Sequence, residues 1–317
     1  MTSLEDRNTR EEHNRYDLII IGAGPAGFSA AIYARRADKK VLVLEAEVYG
    51  GQIVNTLDIE NWPAEEHISG YDFATKLYHQ AENLGAEIVF ERAISIETST
   101  SQKKVITDES AYIASAIIIA TGATNRKLGL PNEDQLIGRG ISYCATCDGA
   151  FYKGKKVAIV GGGNTAIEDA LYLSGIAETV YLIHRRSEFR GEDSLVRRLH
   201  SKDNIEFVLN SQVTKLNAGA KLESIETIDT DGKERILNVD GLFVAIGKTP
   251  QNATFADLLN LDETGYIIAG EDCHTNIEGI FVAGDNRTKS VRQLVTAVSD
   301  GAVAATEAVK FIDSAKA

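Results

Sequence analysis

The chain has 317 residues, 44% hydrophobic and 25% charged, the balance of a globular protein long enough for two ordinary domains. Its 33 basic residues face 46 acidic ones, and the net charge of −13 repels phosphate backbones, which argues against nucleic acid as a partner. Three cysteines cannot build a secreted-type disulfide framework, so a cytoplasmic setting is expected; the most apolar stretch, Leu18 to Ala34, is broken by three glycines and a proline, so no membrane span is expected. Residues 1–15 carry charges of both signs and almost nothing apolar, and read as a flexible N-terminal tail.

From Tyr16 the pattern becomes regular. YDLIIIGAGPAGFSAAIYARR predicts a buried strand over Leu18 to Ile21, a Gly-rich turn and a helix of small residues, and VLVLE predicts a second strand. Gly22, Gly24 and Gly27, spaced by Ala23, Pro25 and Ala26, fit G-x-G-x-x-G. The glycines allow a tight turn, a bare backbone that a pyrophosphate can approach, and close packing of helix on strand. Glu45 follows Gly24 by 21 residues, at the end of the second strand, where a carboxylate accepts from ribose hydroxyls.

RAISIETSTSQKKVITDE alternates apolar with polar residues and predicts an antiparallel ribbon. SAIIIATGA is a further buried strand, ending in Ala120, Thr121 and Gly122.

The strand-turn-helix pattern then recurs. KKVAIVGGGNTAIEDALYLSG carries Gly161, Gly163 and Ala166 in the G-x-G-x-x-A form, with Gly162, Asn164 and Thr165 filling the turn; TVYLIHRR is its second strand. At the same offset of 21 from the central glycine stands His184, followed by Arg185, Arg186 and Arg190. The charge has changed sign. A carboxylate there would repel a 2′-phosphate, whereas guanidinium groups bind one with charge-assisted hydrogen bonds, so the first site suits a dinucleotide with a free ribose and the second suits NADPH.

A second ribbon, VTKLNAGAKLESIETIDTDGKERILNVD, and a strand GLFVAIG ending in Gly247 complete the repeat. The second unit is thus expected to be inserted into the first between about residues 124 and 248, with NRKLGLPNE and GKTPQN as linkers. The expected fold is α/β: two Rossmann-like three-layer dinucleotide-binding domains, one over 16–124 and 249–317 and the other, inserted, over 125–248. The strand GIFVAGD belongs to the returning segment, and its Asp285 is either a ligand group at a strand's carboxyl end or a helix N-cap.

SYCATCDGA, residues 142–150, contains two of the three cysteines at C-x-x-C spacing. A zinc site would need Cys144, Cys147, Cys273 and His274 together, and adjacent residues such as Cys273 and His274 tend to face opposite ways on an extended chain. A structural staple across two residues would constrain little of the unfolded chain. A redox pair exchanging through a mixed disulfide is the reading with positive support. Asp148 follows the second cysteine, where a partly buried carboxyl could protonate a departing thiolate or serve only as a turn residue before Gly149.

GAGPAG, CATCDG, GGGNTA, HRRSEFR and GIFVAGD, in this order and at these distances, closely resemble the low-molecular-weight thioredoxin reductases, from about Tyr16 to the C-terminal helix. The resemblance implies FAD on the discontinuous outer domain, NADPH on the inserted one, a homodimer, and a thioredoxin-like protein as disulfide substrate. It implies FAD contacts from Gly50, Gly51 and Gln52 of YGGQ, Asn61 of ENWP, Asp285, and Arg292, Gln293 and Leu294 of VRQL. It further implies that Cys147 faces the flavin, that Cys144 attacks the partner's disulfide, that Asp148 is the acid, and that the inserted domain swivels on the two linkers to present NADPH and the disulfide in turn. The chain departs from the family pattern at Ala64, where ENWPG is usual, and at Ser299, which interrupts A-x-G-x-G. Other readings on related scaffolds are the reductase component of an alkyl hydroperoxide system, which carries an added N-terminal module for which the short tail leaves no room, and a non-catalytic flavin-dithiol redox sensor, which has no need of the arginines. No resident metal is expected.

Overall fold

The structure, a computed structural model, describes residues 14–56, 58–98 and 102–315. It divides into two units, residues 1–124 with 249–317, and residues 125–248. Residues 1–13 of the expected tail lie outside the described residues. Asn14 and Arg15 instead join the sheet: the Asn14 amide donates to the Ala111 carbonyl at 3.0 Å, and Arg15 sits opposite Ile113.

In the first unit, β1 (Arg15–Ile21) ends in a continuous apolar run, which suits a parallel strand covered on both faces. The Gly-rich turn leads into α1 (Pro25–Arg36), then β2 (Val41–Leu44), α2 (Gly70–Asn83) and β3 (Glu87–Val89). The ribbon expected over 92–109 forms as β4 (Ala93–Thr98) and β5 (Lys103–Thr107), antiparallel to each other, with β5 also antiparallel to the start of β6 (Ala111–Ile119). Period-2 geometry sends successive β1 side chains to opposite faces. Leu18 and Ile20 pack under α1 with Phe28 and Ala30, while Ile19 and Ile21 join Leu42, Ile117 and Phe255 on the other face. Each such side chain, taken fully out of water, stabilises by about 1.5–3 kcal/mol.

The chain leaves this unit through β7 (Ala123–Asn125). In the second unit, β8 (Ile141–Ser142) precedes the short helix α3 (Ala145–Asp148). Then come β9 (Lys156–Val160), α4 (Asn164–Ser174), β10 (Thr179–Ile183), α5 (Asp193–His200) and β11 (Ile205–Val208). β12 (Ser211–Ala218), β13 (Leu222–Asp229) and β14 (Glu234–Asn238) form the second antiparallel ribbon, and β15 (Gly241–Val244) returns to the main sheet. That sheet has the order β11-β10-β9-β15-β8, all parallel. One face meets α4 through Val157, Ile159, Ile167 and Leu173; the other meets the ribbon through Ala158, Ile225 and Leu237.

β16 (Lys248–Pro250) pairs with β7, so the two connections form a two-stranded ladder. Back in the first unit, β17 (Ile280–Val282) pairs parallel with the end of β6, and the long helix α6 (Leu294–Ser314) packs on α1. There Gly301 lets the helices touch, since a side chain would run into the Ala26 carbonyl. Ser299 faces solvent, so its departure from the family pattern leaves this packing intact. Both units are α/β, the class expected. Among the described residues no helix is long and apolar enough to cross a membrane.

Candidate active site

The carboxyl ends of β1, β2, β6 and β17 bring together most of the residues expected at the first site. Gly22 turns with φ +112, a conformation other residues adopt only under strain, and a Cβ there would strike the Ala120 carbonyl. Gly27 lies against the Gly22 carbonyl, so neither position tolerates a side chain. Gly24 is different: it caps α1 with no side-chain hydrogen bond, Pro25 is the first helical residue, and a Cβ on Gly24 would meet nothing within 4 Å. The helix N-terminus therefore presents unsatisfied N–H groups to open space, which fits a pyrophosphate.

Around this turn, Glu45 accepts from the Ala23 N–H at 2.9 Å and from the Glu47 N–H at 3.0 Å, which fixes its carboxylate beside the glycines. Gly50 donates to the Ala23 carbonyl at 2.7 Å, and Gly51 approaches Gly24, so YGGQ lies against the same turn with Gln52 exposed. Thr121 Oγ1 accepts from the Asn286 amide at 3.1 Å, and Gly122 has open space above it. Arg292 stacks over Tyr266 at 4.0 Å and donates to the Asp285 carbonyl at 3.4 Å. Gln293 caps α6, accepting from the Asn61 amide at 3.3 Å, and Leu294 opens the helix against the Trp62 and Phe73 cluster. This resolves one alternative: Asp285 lies in a turn and is no helix N-cap, because the next helix begins at Leu294 with Gln293 as its cap.

The second site has the same construction. Gly161 lies against the Ala245 carbonyl and Ala166, Gly163 caps α4 with open space at its Cβ position, and Asn164 Oδ1 accepts from the Glu192 N–H at 2.9 Å. Thr165 is exposed on the first turn of the helix. The structure separates the basic residues that the sequence groups together. His184 is 4% exposed, its ring lies under Gly162 and stacks on Phe189 at 5.5 Å, and its Nε2 is buried without a hydrogen-bond partner. Burial, assisted by the charges of Arg190, Arg185 and Arg186, holds its pKa below the ordinary imidazole value despite a backbone hydrogen bond to Glu188. His184 is thus a neutral platform beneath the turn, while Arg185, Arg186 and Arg190 are exposed and the Arg190 N–H ties their loop to the Gly162 carbonyl at 2.7 Å. Exposed guanidinium groups beside an open helix N-terminus fit a phosphorylated ribose.

Cys144 and Cys147 are joined in a disulfide at the start of α3. That removes both thiolates from the Cys₃His zinc set, and the remaining Cys273 is buried in the first unit. Among the described residues the one His/Cys/Asp/Glu group close enough to share an ion is Asp58, Glu60 and His67, at the surface, where His67 Nδ1 is 2.8 Å from Asp58. The Cys147 N–H donates to Cys144 Sγ at 3.2 Å, an arrangement that favours negative charge on the first sulfur. Burial pushes the Asp148 carboxyl above the ordinary carboxylate range, opposed by a hydrogen bond from Ser142. The half-buried carboxyl follows Cys147 directly in the chain, and a carboxyl raised in this way is suited to proton transfer.

Several organising residues carry no motif. Ser142 bonds Asp148; Glu133 accepts from the N–H groups of Leu128, Gly129 and Leu130 and from the Tyr143 hydroxyl at 2.8 Å, anchoring the residue before Cys144. Asp300 accepts from the Gly284 N–H at 3.0 Å and so holds the turn that carries Asp285. The polar residue just before a motif is the one hint the sequence offers for Ser142.

Comparison with known proteins identifies the family and the fold. Residues 16–301 match the family model described as pyridine nucleotide-disulphide oxidoreductase. A thioredoxin reductase of Listeria innocua is 43% identical over 307 residues, 96% of each chain, and one of Bacillus subtilis is 40% identical over 95% of this chain and 96% of its own. The crystal structure of thioredoxin reductase from Streptococcus pyogenes superposes with a TM-score of 0.91 at 38% identity, covering 95% of this chain and 99% of that one. Two open helix N-termini behind Gly-rich turns, a C-x-x-C disulfide followed directly by an aspartate, and 40–43% identity to the relatives over nearly the whole length lead to one assignment: the chain belongs to the pyridine nucleotide-disulphide oxidoreductase family, among the thioredoxin reductases.

Proposed function

We propose that this chain is an NADPH-dependent thioredoxin reductase, with FAD held by the first unit, NADPH by the second, and electrons leaving through Cys144 and Cys147 to the disulfide of a thioredoxin-like protein. The observation that carries the reading is the Cys144–Cys147 disulfide with the half-buried Asp148, its carboxyl pKa raised by burial, as the next residue. Bound FAD supplies the acceptor for a hydride from NADPH and the donor of the electron pair to this disulfide.

In the reduced pair, the Cys144 thiolate attacks one sulfur of the partner's disulfide. A Cys144–partner S–S bond forms, the partner's own S–S bond breaks, and the departing thiolate takes a proton. The Cys147 thiolate then attacks Cys144 Sγ, reforms the internal disulfide and expels the partner's second thiolate, which is also protonated. Two electrons and two protons pass to the partner, with Asp148 carrying a proton in the exchange. The first unit's part is to bind and orient: the α1 N-terminus receives a pyrophosphate, Glu45 a ribose, and Asp285 with Arg292 and Gln293 line the same edge. In the second unit, Arg185, Arg186 and Arg190 receive the 2′-phosphate while His184 supports the turn.

A cytoplasmic homodimer completes the reading. The setting is supported by a chain with three cysteines, two in the C-x-x-C pair and the third buried, and the dimer by the family resemblance. The decisive experiment mixes the FAD-loaded protein with NADPH and a bacterial thioredoxin. Bleaching of the flavin by NADPH but not NADH, followed by thioredoxin reduction that is lost in Cys144→Ser while bleaching persists, is the expected result. A Cys144→Ser variant that still reduces thioredoxin would remove Cys144 from this role.

A further inference from the structure

Ser142 closes β8, where it is paired with Phe243 of β15 and 3% exposed, two residues before the disulfide. Its hydroxyl meets three groups. The Ser142 Oγ lies 2.5 Å from Asp148 Oδ2, 3.1 Å from the Cys144 nitrogen and 3.3 Å from the Cys144 carbonyl oxygen. A serine hydroxyl has one hydrogen to donate and two lone pairs to accept with. The Cys144 N–H takes one lone pair whatever else happens, so the single hydrogen must choose between the Asp148 carboxylate and the Cys144 carbonyl.

That choice tracks the charge on Asp148. With the carboxylate ionised, the hydroxyl donates to Oδ2. With the carboxyl protonated on Oδ2, the acid donates to the second lone pair of Oγ, and the hydroxyl hydrogen turns to the Cys144 carbonyl. Every group is satisfied in both states and no heavy atom moves. We propose that Ser142 is a positioning residue for proton transfer at the dithiol: its hydroxyl holds the Asp148 carboxyl against the Cys144 backbone in both protonation states by swinging its one hydrogen from Asp148 Oδ2 to the Cys144 carbonyl. The inference rests on the disulfide-reductase reading of the site.

The surroundings leave this hydrogen bond as the specific opponent of burial at Asp148. Tyr152, on the turn after α3, is the titratable neighbour that feels the Asp148 charge; burial, Asp148 and Asp240 push its phenol up to about 12, so it stays protonated throughout the working range. From α4, Tyr172 and Leu173 face Gly149. Asp169, also on α4, is raised to about 7 by burial and by Glu168, with Lys248 opposing, and would add its own titration to any pH profile.

The test uses the FAD-loaded protein. Infrared spectra of the oxidised enzyme across pH follow the Asp148 carboxyl C=O band, assigned by its loss in Asp148→Asn and separated from Asp169 by an Asp169→Asn background. Both protonation states lose a hydrogen bond in Ser142→Ala, but the one donated to the ionised carboxylate is charge-assisted and the stronger, so the titration midpoint rises, by about one pH unit, and Ser142→Thr keeps it near wild type. Ser142→Val, the same shape as Thr without the hydroxyl, repeats the comparison should the alanine variant unfold. In turnover with NADPH, a bacterial thioredoxin and insulin as final disulfide, the alkaline limb moves up by the same amount in the alanine and valine variants, and flavin bleaching by NADPH is unchanged. An unshifted carboxyl band in Ser142→Ala, or a threonine variant that behaves like alanine, overturns the proposal, as does turnover lowered equally at every pH with no shift of the limb. Wild type that leaves thioredoxin oxidised rejects the disulfide-reductase reading instead, and the infrared titration still decides the role of Ser142.

Discussion

Arg287 and Asp300 make a two-point ion pair inside the first unit, with Nε to Oδ2 and Nη2 to Oδ1 both at 2.8 Å and Arg287 only 1% exposed. Lys289 adds a third contact to Oδ2 at 2.9 Å. Burial alone would raise the Asp300 carboxyl, but the hydrogen bonds from Arg287 and Lys289 outweigh it and hold Asp300 below the ordinary carboxylate range.

Removing this carboxylate leaves Lys289 without its close anion and Arg287 with only the exposed Glu271 at 3.6 Å. Asp300→Ala is expected to cost about 3–5 kcal/mol, read as a lower urea midpoint at pH 7. The pH dependence has a defined sign. A depressed carboxylate contributes stability that is fully present above its unfolded value, about pH 3.9, and is lost as pH falls through the lower folded value. Urea midpoints followed from pH 7 to pH 2 should therefore fall less steeply below pH 4 in Asp300→Ala than in wild type; parallel curves would deny Asp300 this role.

Gly24 and Gly27 separate what the Gly-rich turn does for the fold from what it does for a ligand. A methyl group on Gly27 collides with the Gly22 carbonyl, so Gly27→Ala should destabilise the protein whether or not FAD is present. One on Gly24 meets open space, so Gly24→Ala should unfold at the wild-type urea concentration without FAD yet bind FAD at least tenfold more weakly. Equal FAD affinity in Gly24→Ala and wild type would remove the pyrophosphate from this turn.

Arg185 and Arg186 are exposed, so their loss should leave stability alone and act on the nucleotide. Hydrogen bonds to charged groups contribute about 1.5–3 kcal/mol each, less where water screens them. The double alanine variant is expected to bind NADPH roughly tenfold to a few hundredfold more weakly by calorimetry, with NADH unaffected.

Ala64 occupies a left-handed backbone conformation, φ +71, at the position where the related pattern has glycine. Such a conformation costs a non-glycine residue about 1–2 kcal/mol, partly offset by the greater freedom of glycine in the unfolded chain. Ala64→Gly should accordingly raise stability by about 0.5–1 kcal/mol, seen as a higher urea midpoint. A lower midpoint would mean that the methyl group has contacts worth more than the strain.

What could be read from the sequence was local. A strand, a Gly-rich turn and a helix occupy some 20 consecutive residues, so the turn chemistry at Gly22–Gly27 and Gly161–Ala166, and the change of charge at Glu45 and His184–Arg186, appear in one dimension. The period-2 rule could have gone further at His184. It continues the inward set of Val180 and Leu182, which sends its ring under Gly162 while its arginine neighbours stay at the surface. The Arg287–Asp300 pair was not legible, because charged residues read as solvated until topology brings α6 onto the turn after β17. Ser142 was hinted at only by its place before the motif, for a related reason: its hydroxyl is held against Asp148 at the end of β8, where β8 pairs with β15, which no spacing rule encodes.

The ladder of β7 with β16 bears on how such a molecule can be assembled. Within the first unit the Gln251 N–H donates to the Gly122 carbonyl at 3.0 Å, so the two points where the chain departs and comes back are neighbours. When the cut ends of a host already touch, each doubling of a flexible insert's length costs only about 0.6 kcal/mol in chain-closure entropy, and a folded guest whose own ends lie together costs less still. Deleting residues 125–248 and bridging the gap with a few glycines should yield a shorter protein that still folds and turns yellow with FAD.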